Sequence, residues 1–157
     1  MAVEMEKKFK VVHEGWRQGA SGILLKQAYL STDPDRTIRV RIEGTKARLT
    51  VKGPLQGLSR LEFEYKIPLG DGEAMLVNLC KNHPIEKLRF RIPFKGHIFE
   101  VDEFRGENQG LVIAEVELKE EEEPLELPDW IGDEVTSDER YYNSYLSENP
   151  FQLWNVK

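Results

Sequence analysis

Residues 60–67 read Arg-Leu-Glu-Phe-Glu-Tyr-Lys-Ile, a strict alternation of charged and apolar side chains. Because successive side chains of a β-strand point to opposite faces, this stretch predicts a strand with one charged face and one apolar face. The same period of two predicts eight strands in all, at residues 1–12, 24–30, 37–43, 47–52, 59–68, 85–93, 97–105 and 111–119. Eight strands and few helices favour one mainly β (α+β) domain, residues 1–157, folded as a closed eight-stranded antiparallel β-barrel.

Two segments depart from the alternation and predict the flanking helices. Residues 71–82 have apolar side chains at helical spacing, with Asp71 as a candidate N-cap. The capping-box pattern Thr136-x-x-Glu139 predicts a short helix over residues 140–146. If the charged strand faces line the barrel interior, the apolar faces point outward. We then expect these two helices and a second chain to cover them.

Composition narrows the class of protein. The net charge of −6 argues against a general nucleic-acid binder, since such proteins usually carry a basic surface. No apolar run approaches the roughly 18 residues that a membrane helix needs, and the N-terminus has no signal-peptide pattern. The single cysteine, Cys80, excludes an internal disulfide and is ordinary for a reducing compartment. We therefore expect a cytoplasmic protein without a membrane partner.

Six of the strands carry two residues of like charge on the same face. These pairs are Glu4/Glu6, Arg39/Arg41, Glu62/Glu64, Lys87/Arg89, Glu100/Asp102 and Glu115/Glu117. A half-exposed sheet whose charged face meets water would explain any one pair, but sheets normally intersperse charges of opposite sign. Acidic pairs suit a hard divalent cation, and basic pairs suit phosphate oxygens. The pattern therefore predicts a barrel interior that binds a polyanion together with its metal ion.

The chain resembles the CYTH, or triphosphate tunnel metalloenzyme, superfamily, and in particular its small bacterial tripolyphosphatase-like members. The hallmark is an N-terminal Glu-x-Glu-x-Lys strand, present here as Glu4-Met5-Glu6-Lys7-Lys8. The other matching positions follow in family order over essentially the whole chain: Lys26, Arg39-x-Arg41, Lys52, Ser59-Arg60-x-Glu62-x-Glu64, Glu86-Lys87-x-Arg89, Phe99-Glu100-x-Asp102, Glu115-x-Glu117-Leu118 and residues 134–143. The resemblance implies an eight-stranded antiparallel tunnel that binds a triphosphate with one or two Mg²⁺ or Mn²⁺ ions.

The resemblance and the charge pattern together give each charged position an expected role. The expected metal ligands are Glu4, Glu6, Glu115, Glu117 and Asp102. The expected triphosphate-binding residues are Lys8, Lys26, Arg39, Arg41, Lys52, Lys87, Arg89 and Arg140. The expected catalytic residues are Lys8, Arg41, Glu62, Glu64 and Asp102. A carboxylate would orient a water held by the metal ion; Glu62 and Glu64 are favoured, and Asp102 or Glu100 are the alternatives.

The family includes inorganic, thiamine and RNA triphosphatases and class IV adenylate cyclases, and many members are homodimers. A compact chain without an appended domain favours metal-dependent hydrolysis of a small triphosphate, inorganic tripolyphosphate. A class IV-type adenylate cyclase, or a thiamine or nucleoside triphosphatase, stays open on the same scaffold, although no segment clearly supplies a pocket for adenine. A non-catalytic polyphosphate-binding module ranks lower, because both the basic residues and the acidic metal ligands are present.

Overall fold

The computed structural model describes residues 3–154, so residues 1–2 of the predicted first strand lie outside this range. The described strands are β1 (Val3–Val11), β2 (Ile23–Ser31), β3 (Thr37–Glu43), β4 (Lys46–Lys52), β5 (Ser59–Ile67), β6 (Ile85–Phe94), β7 (His97–Phe104), β8 (Val112–Glu117) and β9 (Ile131–Glu134). The first eight correspond in order to the eight predicted strands, which confirms the mainly β fold. The ninth was not predicted, because Ile-Gly-Asp-Glu has one apolar residue and no alternation.

The strands form a closed antiparallel barrel, as predicted. They lie in the order β5-β4-β3-β2-β6-β7-β8-β1, and β1 also pairs with β5, which closes the barrel. β1 divides its pairing along its length: residues 3–5 pair with β5, and residues 6–10 pair with β8. β9 pairs with the later part of β1, beyond the short β5 contact. The barrel therefore has eight strands, with β9 as an addition to β1.

Two α-helices accompany the barrel. The first, α1 (Leu69–Asn78), begins after Pro68, so Asp71 lies in its first turn and is not the N-cap. The second, α2 (Asn143–Glu148), begins three residues later than predicted and follows a 3-10 turn at Glu139–Tyr141, where Asp138 caps the Arg140 backbone N–H. No helix within residues 3–154 is long and apolar enough to span a membrane.

The apolar faces of the strands point outward and are covered by different segments. On one side Trp16, from a 3-10 turn at Gly15–Arg17, and Trp130, from a loop, pack on an apolar cluster that includes Phe9, Phe90 and Phe99. On the other side α1 lies on β2 and β3 through Leu76, which packs against Ala28 and Val40. The predicted helical cover is therefore confirmed for α1 only.

Helix α2 has a different position from the one predicted. Leu146 and Tyr141 pack with Ile85 of β6, Phe104 of β7, Ile113 of β8 and Leu111, which immediately precedes β8. Ile85 and Phe104 are inner-face residues, because Ile85 is the cross-strand neighbour of buried Gln27 and Phe104 that of buried Lys87. The C-terminal segment therefore fills one end of the barrel, and the polar interior is confined to the rest of its length.

Candidate active site

The polar part of the barrel interior encloses a cavity of about 230 Å³ whose lining is ionisable apart from one residue, Asn143. The ionisable residues around it are Glu4, Glu6, Lys8, Arg39, Arg41, Glu43, Lys46, Arg48, Lys52, Glu62, Glu64, Lys87, Arg89, Arg91, Glu100, Glu115 and Glu117. The strand register gathers them, because cross-strand neighbours share a face: Glu6 pairs with Glu117, and Glu115 pairs with both Lys8 and Glu100. The predicted inward like-charge pairs therefore meet in one space, except for Asp102, which lies behind its lining.

Four carboxylates on β1 and β8 form one side of the cavity, called here the acidic wall: Glu4, Glu6, Glu115 and Glu117. Burial, together with the neighbouring charges of Glu115 and Glu4, raises the pKa of Glu6 to about 8. Burial also raises the pKa of Glu4 and of Glu117. Three of the four carboxylates are therefore held in surroundings that disfavour their charged form.

Glu115 differs from the other three members of the acidic wall. Burial by itself would raise its pKa, but the nearby cations Lys8 and Arg89 hold the pKa well below its usual range. The Lys8 ammonium lies 3.9 Å from a Glu115 oxygen, which makes it the closest counter-charge. Glu115 is therefore ionised, while its neighbour Glu6 holds a proton more readily.

The donor set of the acidic wall fits a hard divalent cation, because carboxylate oxygens are its preferred ligands and its charge would offset their mutual repulsion. Within residues 3–154, no three acidic, His or Cys side chains are gathered closely enough to hold an ion in the present arrangement. Lys52 partly neutralises these carboxylates, with its ammonium 3.0 Å from Glu4 and 3.3 Å from Glu62. A metal ion here would compete with an internal cation.

Three cations on the other side of the cavity, Arg41, Lys87 and Arg89, are called here the basic wall. Arg89 donates from two guanidinium nitrogens to the two oxygens of Asp102, at 2.8 Å each. The Lys87 ammonium lies 2.7 Å from the same carboxylate. Burial by itself would raise the pKa of Asp102, but Arg89 and Lys87 lower it. The basic wall therefore has an ionised counter-charge of its own.

This arrangement corrects the role expected for Asp102. Its side chain is fully buried, it does not border the cavity, and both of its oxygens accept from cations. A carboxylate in that position is not placed to ligate a metal ion in the cavity or to orient a water there. Asp102 instead fixes Lys87 and Arg89.

The basic wall still has more positive charge than Asp102 neutralises. Burial lowers the pKa of Lys87 to about 7. The charge of Asp102 acts in the opposite direction, but the neighbouring cations Arg89 and Arg41 lower the pKa further. Burial, together with the charges of Arg39 and Arg89, lowers the pKa of Arg41 to about 9. These two groups would gain most from an anion placed in the cavity.

Glu62 and Glu64 border the cavity from β5 and differ in how many partners they have. Glu64 accepts from Arg48 at 3.2 Å and from the Thr50 hydroxyl at 3.0 Å, and Arg39 lies 3.6 Å away. Glu62 has one cationic neighbour, Lys52. Glu62 therefore has more free lone-pair capacity toward the cavity than Glu64.

Two residues expected in the site lie outside it. Lys26 is exposed, and its cross-strand neighbours are Ile42 and Glu86, which places it on the outer face of β2. Arg140 is exposed, bonds Asp138, and packs over the rings of Tyr141 and Trp154. Neither borders the cavity. Both expectations chose a charged residue close in sequence to the one that points inward.

The residues that do point inward at these places are Gln27 and Asn143, and neither was expected. Gln27 is fully buried, and its side-chain oxygen accepts from Arg41 Nε at 2.8 Å. Asn143 accepts from Lys87 Nζ at 2.9 Å and from Gln27 Nε2 at 3.2 Å. If the pairing of β2 with β3 had been known, Gln27 could have been predicted to point inward, because it is the cross-strand neighbour of Arg41. Asn143 is the last residue of the segment 134–143 that resembles the family, but that motif did not indicate that its side chain points inward.

A family model described as the CYTH domain matches residues 2–147, which include the whole barrel and the segment that carries Asn143. The chain belongs to the CYTH domain family. Two members with the name inorganic triphosphatase are similar over almost their full length. The protein from Acetivibrio thermocellus is 50% identical over 152 residues, with 97% of each chain covered. The protein from Nitrosomonas europaea is 36% identical over 150 residues, with 92% of this chain and 96% of the relative covered.

The same family is represented among solved structures. The crystal structure of an inorganic triphosphatase superimposes with a TM-score of 0.67 at 32% sequence identity, covering 94% of this chain and 95% of that one. The resemblance to CYTH proteins is therefore confirmed, and so is the tunnel-like barrel.

Proposed function

We propose that this CYTH protein is a divalent-metal-dependent inorganic triphosphatase that hydrolyses a phosphoanhydride bond of tripolyphosphate. The observation that carries the proposal is the cavity itself, in which a basic wall and an acidic wall face one enclosed space. The names and the 50% and 36% identities of the two relatives support it. Hydrolysis of a phosphoanhydride is chiefly a matter of positioning and charge neutralisation, and both are available in such a cavity.

The basic wall would bind the phosphate oxygens. Arg41 and Arg89 offer planar guanidinium groups that suit two oxygens at once, and Lys87 offers a point charge. Lys8, Arg39 and Lys52 would add further positive charge from the neighbouring strands. A polyanion would supply the negative charge that Arg41 and Lys87 lack. Its binding and the protonation of Lys87 should therefore favour each other.

The acidic wall would hold Mg²⁺ or Mn²⁺ through Glu4, Glu6, Glu115 and Glu117. The bound ion would neutralise developing charge and lower the pKa of a coordinated water. Lys52 would shift from Glu4 toward the phosphate chain as the ion entered. We assign the water-orienting role to Glu62 in preference to Glu64, because three neighbours already donate to or face Glu64.

Tripolyphosphate is preferred over an organic triphosphate because of the cavity lining. Among the residues that the structure describes, no aromatic or apolar side chain borders the charged cavity. An adenine or thiamine ring would lack a stacking partner inside that cavity, since Tyr142, Leu55 and Leu58 border the smaller cavity that adjoins it and not the charged one. This favours hydrolysis of the inorganic chain over cyclisation of ATP or hydrolysis of thiamine triphosphate.

We also propose that the protein is cytoplasmic and forms a homodimer. The single cysteine supports the compartment. An apolar strip on the outer face of β5 supports the dimer, because Leu61, Phe63 and Tyr65 are 41%, 39% and 58% exposed. Sedimentation velocity tests this assembly, and a monomer mass at micromolar concentration would refute it.

The proposed activity is tested by a phosphate-release panel. The substrates are tripolyphosphate, pyrophosphate, ATP and thiamine triphosphate, each with Mg²⁺ or Mn²⁺, and cyclic AMP is measured alongside. Release from tripolyphosphate should exceed release from the other three. No release from tripolyphosphate with either metal, or conversion of ATP mainly to cyclic AMP, would refute the assignment.

Two variants test the walls separately. Arg41→Ala and Glu6→Gln should each lower kcat/KM for tripolyphosphate by about a hundredfold, because each removes a group that would neutralise charge at the reacting phosphate. Full activity in both variants would exclude the cavity as the active site.

A further inference from the structure

Asn143 differs from every other residue around the charged cavity. It is uncharged, and it comes from the C-terminal segment, whereas the other lining residues come from the strands of the barrel. It also borders a second, smaller cavity of about 60 Å³, which shares Glu4, Glu6 and Lys8 with the first and is lined on its other sides by mixed polar and apolar residues. Asn143 is therefore the amide that lies where the charged cavity meets the smaller one.

The hydrogen bonds around Asn143 fix the orientation of two side-chain amides. The Lys87 ammonium has only donors, so the Asn143 atom 2.9 Å from it must be the oxygen. Arg41 Nε also only donates, so the Gln27 atom 2.8 Å from it must be Oε1. Gln27 Nε2 is then left to donate to Asn143 Oδ1 at 3.2 Å. Neither amide can be turned over without placing two donors against each other.

One group in this network donates no hydrogen bond to the part of the chain that the structure describes. Asn143 Oδ1 accepts two hydrogen bonds, whereas Asn143 Nδ2 donates none to residues 3–154. The residue is half-buried and borders both cavities, and Lys8 lines the same two spaces. Two amide hydrogens are therefore available where a phosphate chain on the basic wall would have unpaired oxygens.

We propose that Asn143 contacts the substrate: Nδ2 donates to a phosphate oxygen of the triphosphate, while Oδ1 holds Lys87 and, through Gln27, Arg41. This inference rests on the proposed triphosphatase function and adds two residues to it. Asn143 is a substrate-binding residue. Gln27 is a positioning residue that acts through Arg41.

The contact is tested by comparing Asn143→Asp with Asn143→Ala. The aspartate keeps an oxygen for Lys87 and Gln27 but replaces the amide donor with an acceptor that repels phosphate. Both variants should lower kcat/KM for tripolyphosphate by at least about tenfold, with the aspartate no better than the alanine. If Asn143 only positioned Lys87, Asn143→Asp would retain the parent kcat/KM, and that result would overturn the contact.

A control variant is needed for the negative charge that Asn143→Asp adds near the cavity. Ser144→Asp introduces the same charge one residue further along, beside the smaller cavity. It should lower kcat/KM less than Asn143→Asp does. Equal losses would mean that charge alone explains the effect, and the contact would be withdrawn. Melting temperatures of all variants separate these effects from loss of the fold.

The contact can be observed directly in an NMR titration, which requires substrate binding but no turnover. In a ¹H–¹⁵N spectrum the Asn143 side-chain amide pair is assigned by its absence from Asn143→Asp. It should shift and saturate as tripolyphosphate is added in metal-free buffer, and unchanged signals at saturation would overturn the inference. A shift without phosphate release under assay conditions would refute the proposed function and keep the contact; release without a shift would do the reverse.

The role of Gln27 is tested by a double-mutant cycle with Arg41. Gln27→Leu should lower kcat/KM about threefold to tenfold in the parent and cause no further loss in an Arg41→Ala background, because one residue acts through the other. Gln18→Leu, at an exposed position, is the matched control and should have no effect. Additive losses for Gln27 and Arg41 would overturn the positioning role.

Discussion

The basic wall and the acidic wall face the same cavity, but their charges are balanced in different ways. Behind the basic wall Asp102 accepts from Lys87 and Arg89, and its pKa is lowered by them. In the acidic wall Lys8 faces Glu115 and Lys52 faces Glu4, but these cations do not offset the crowding, and the pKa of Glu6 still rises to about 8. The phosphate-binding side is therefore preorganised by the protein. The opposite side would reach its stable charged form with the help of an exchangeable cation.

Among the tests of this difference between the two walls, removal of divalent metal should have the largest effect on activity. After dialysis against a chelator, phosphate release from tripolyphosphate should fall to background, because no metal ion is then present to neutralise the reacting phosphate. Mg²⁺ or Mn²⁺ should restore it. Tripolyphosphate should still bind, as measured by calorimetry, because the basic wall has its own counter-charge. Full activity in a preparation shown to be metal-free by elemental analysis would break the comparison.

The next effect is on stability. Asp102→Ala removes the fully buried counter-charge of Lys87 and Arg89 and should lower the free energy of unfolding by about 3–5 kcal/mol. Urea denaturation measures it. Glu117→Ala is the matched control in the acidic wall, and it should cost less than about 1 kcal/mol, since Glu117 is partly exposed and repels its neighbours. Equal costs would mean that the two walls are not balanced differently.

The pH dependence of stability should carry the signature of Glu6. Its pKa is higher in the folded protein than in the unfolded chain, so the folded state binds more protons between about pH 4.5 and 8. Stability of the metal-free protein should therefore fall as pH rises through that window. Melting temperatures at pH 5, 6, 7 and 8 check this. Glu6→Gln should flatten the slope, and an unchanged slope would contradict the raised pKa.

Lys87 should affect the pH dependence of stability in the next higher pH range, and in the opposite direction. Its pKa is lowered to about 7, so the unfolded chain binds more protons between about pH 7 and 10.5, and stability rises with pH there. Lys87→Met should remove this rise above pH 8, where the Glu6 contribution has ended. A rise that persists in Lys87→Met would assign it to another group.

The smallest expected effects come from residues outside the cavity. Lys26→Ala and Arg140→Ala should each change kcat/KM for tripolyphosphate by less than about twofold, because surface charges away from the site contribute little. A larger loss in either variant would mean that the residue reaches the phosphate chain in a conformation that differs from the present one.

Much of the fold could be predicted from the sequence because the barrel strands alternate so regularly. In Arg60 to Ile67 the charged residues fall on one face and the apolar residues on the other, so one chain segment defines both surfaces. The like-charge pairs further indicated that the charged faces are enclosed. The order of strands and the addition of β9 depend on pairing between distant segments, which local alternation does not encode.

The errors in the predicted site have equally local causes. Strand β2 reads Ile-Leu-Leu-Lys-Gln-Ala-Tyr-Leu-Ser, with apolar residues on both faces, so alternation does not say which face is inner and the lysine was chosen over Gln27. Residues 139–148 of the C-terminal segment are not in a strand, so alternation gives no information there. Arg140 was therefore predicted as a phosphate-binding residue because of its charge, and Asn143 was missed. Charge was a good guide on strands with a clean alternation and a poor one elsewhere.

The sequence by itself determined the mainly β barrel and the inward charged faces, because side-chain parity on a strand is a property of the backbone. Its motifs carried the likeness to the CYTH family. Tertiary structure alone decided how those charges are paired. It buried Asp102 behind Lys87 and Arg89, left the acidic carboxylates crowded, and brought Asn143 from the C-terminal segment against the cavity. Those contacts join residues far apart in the chain, and their energies depend on burial that exists only once the barrel has closed.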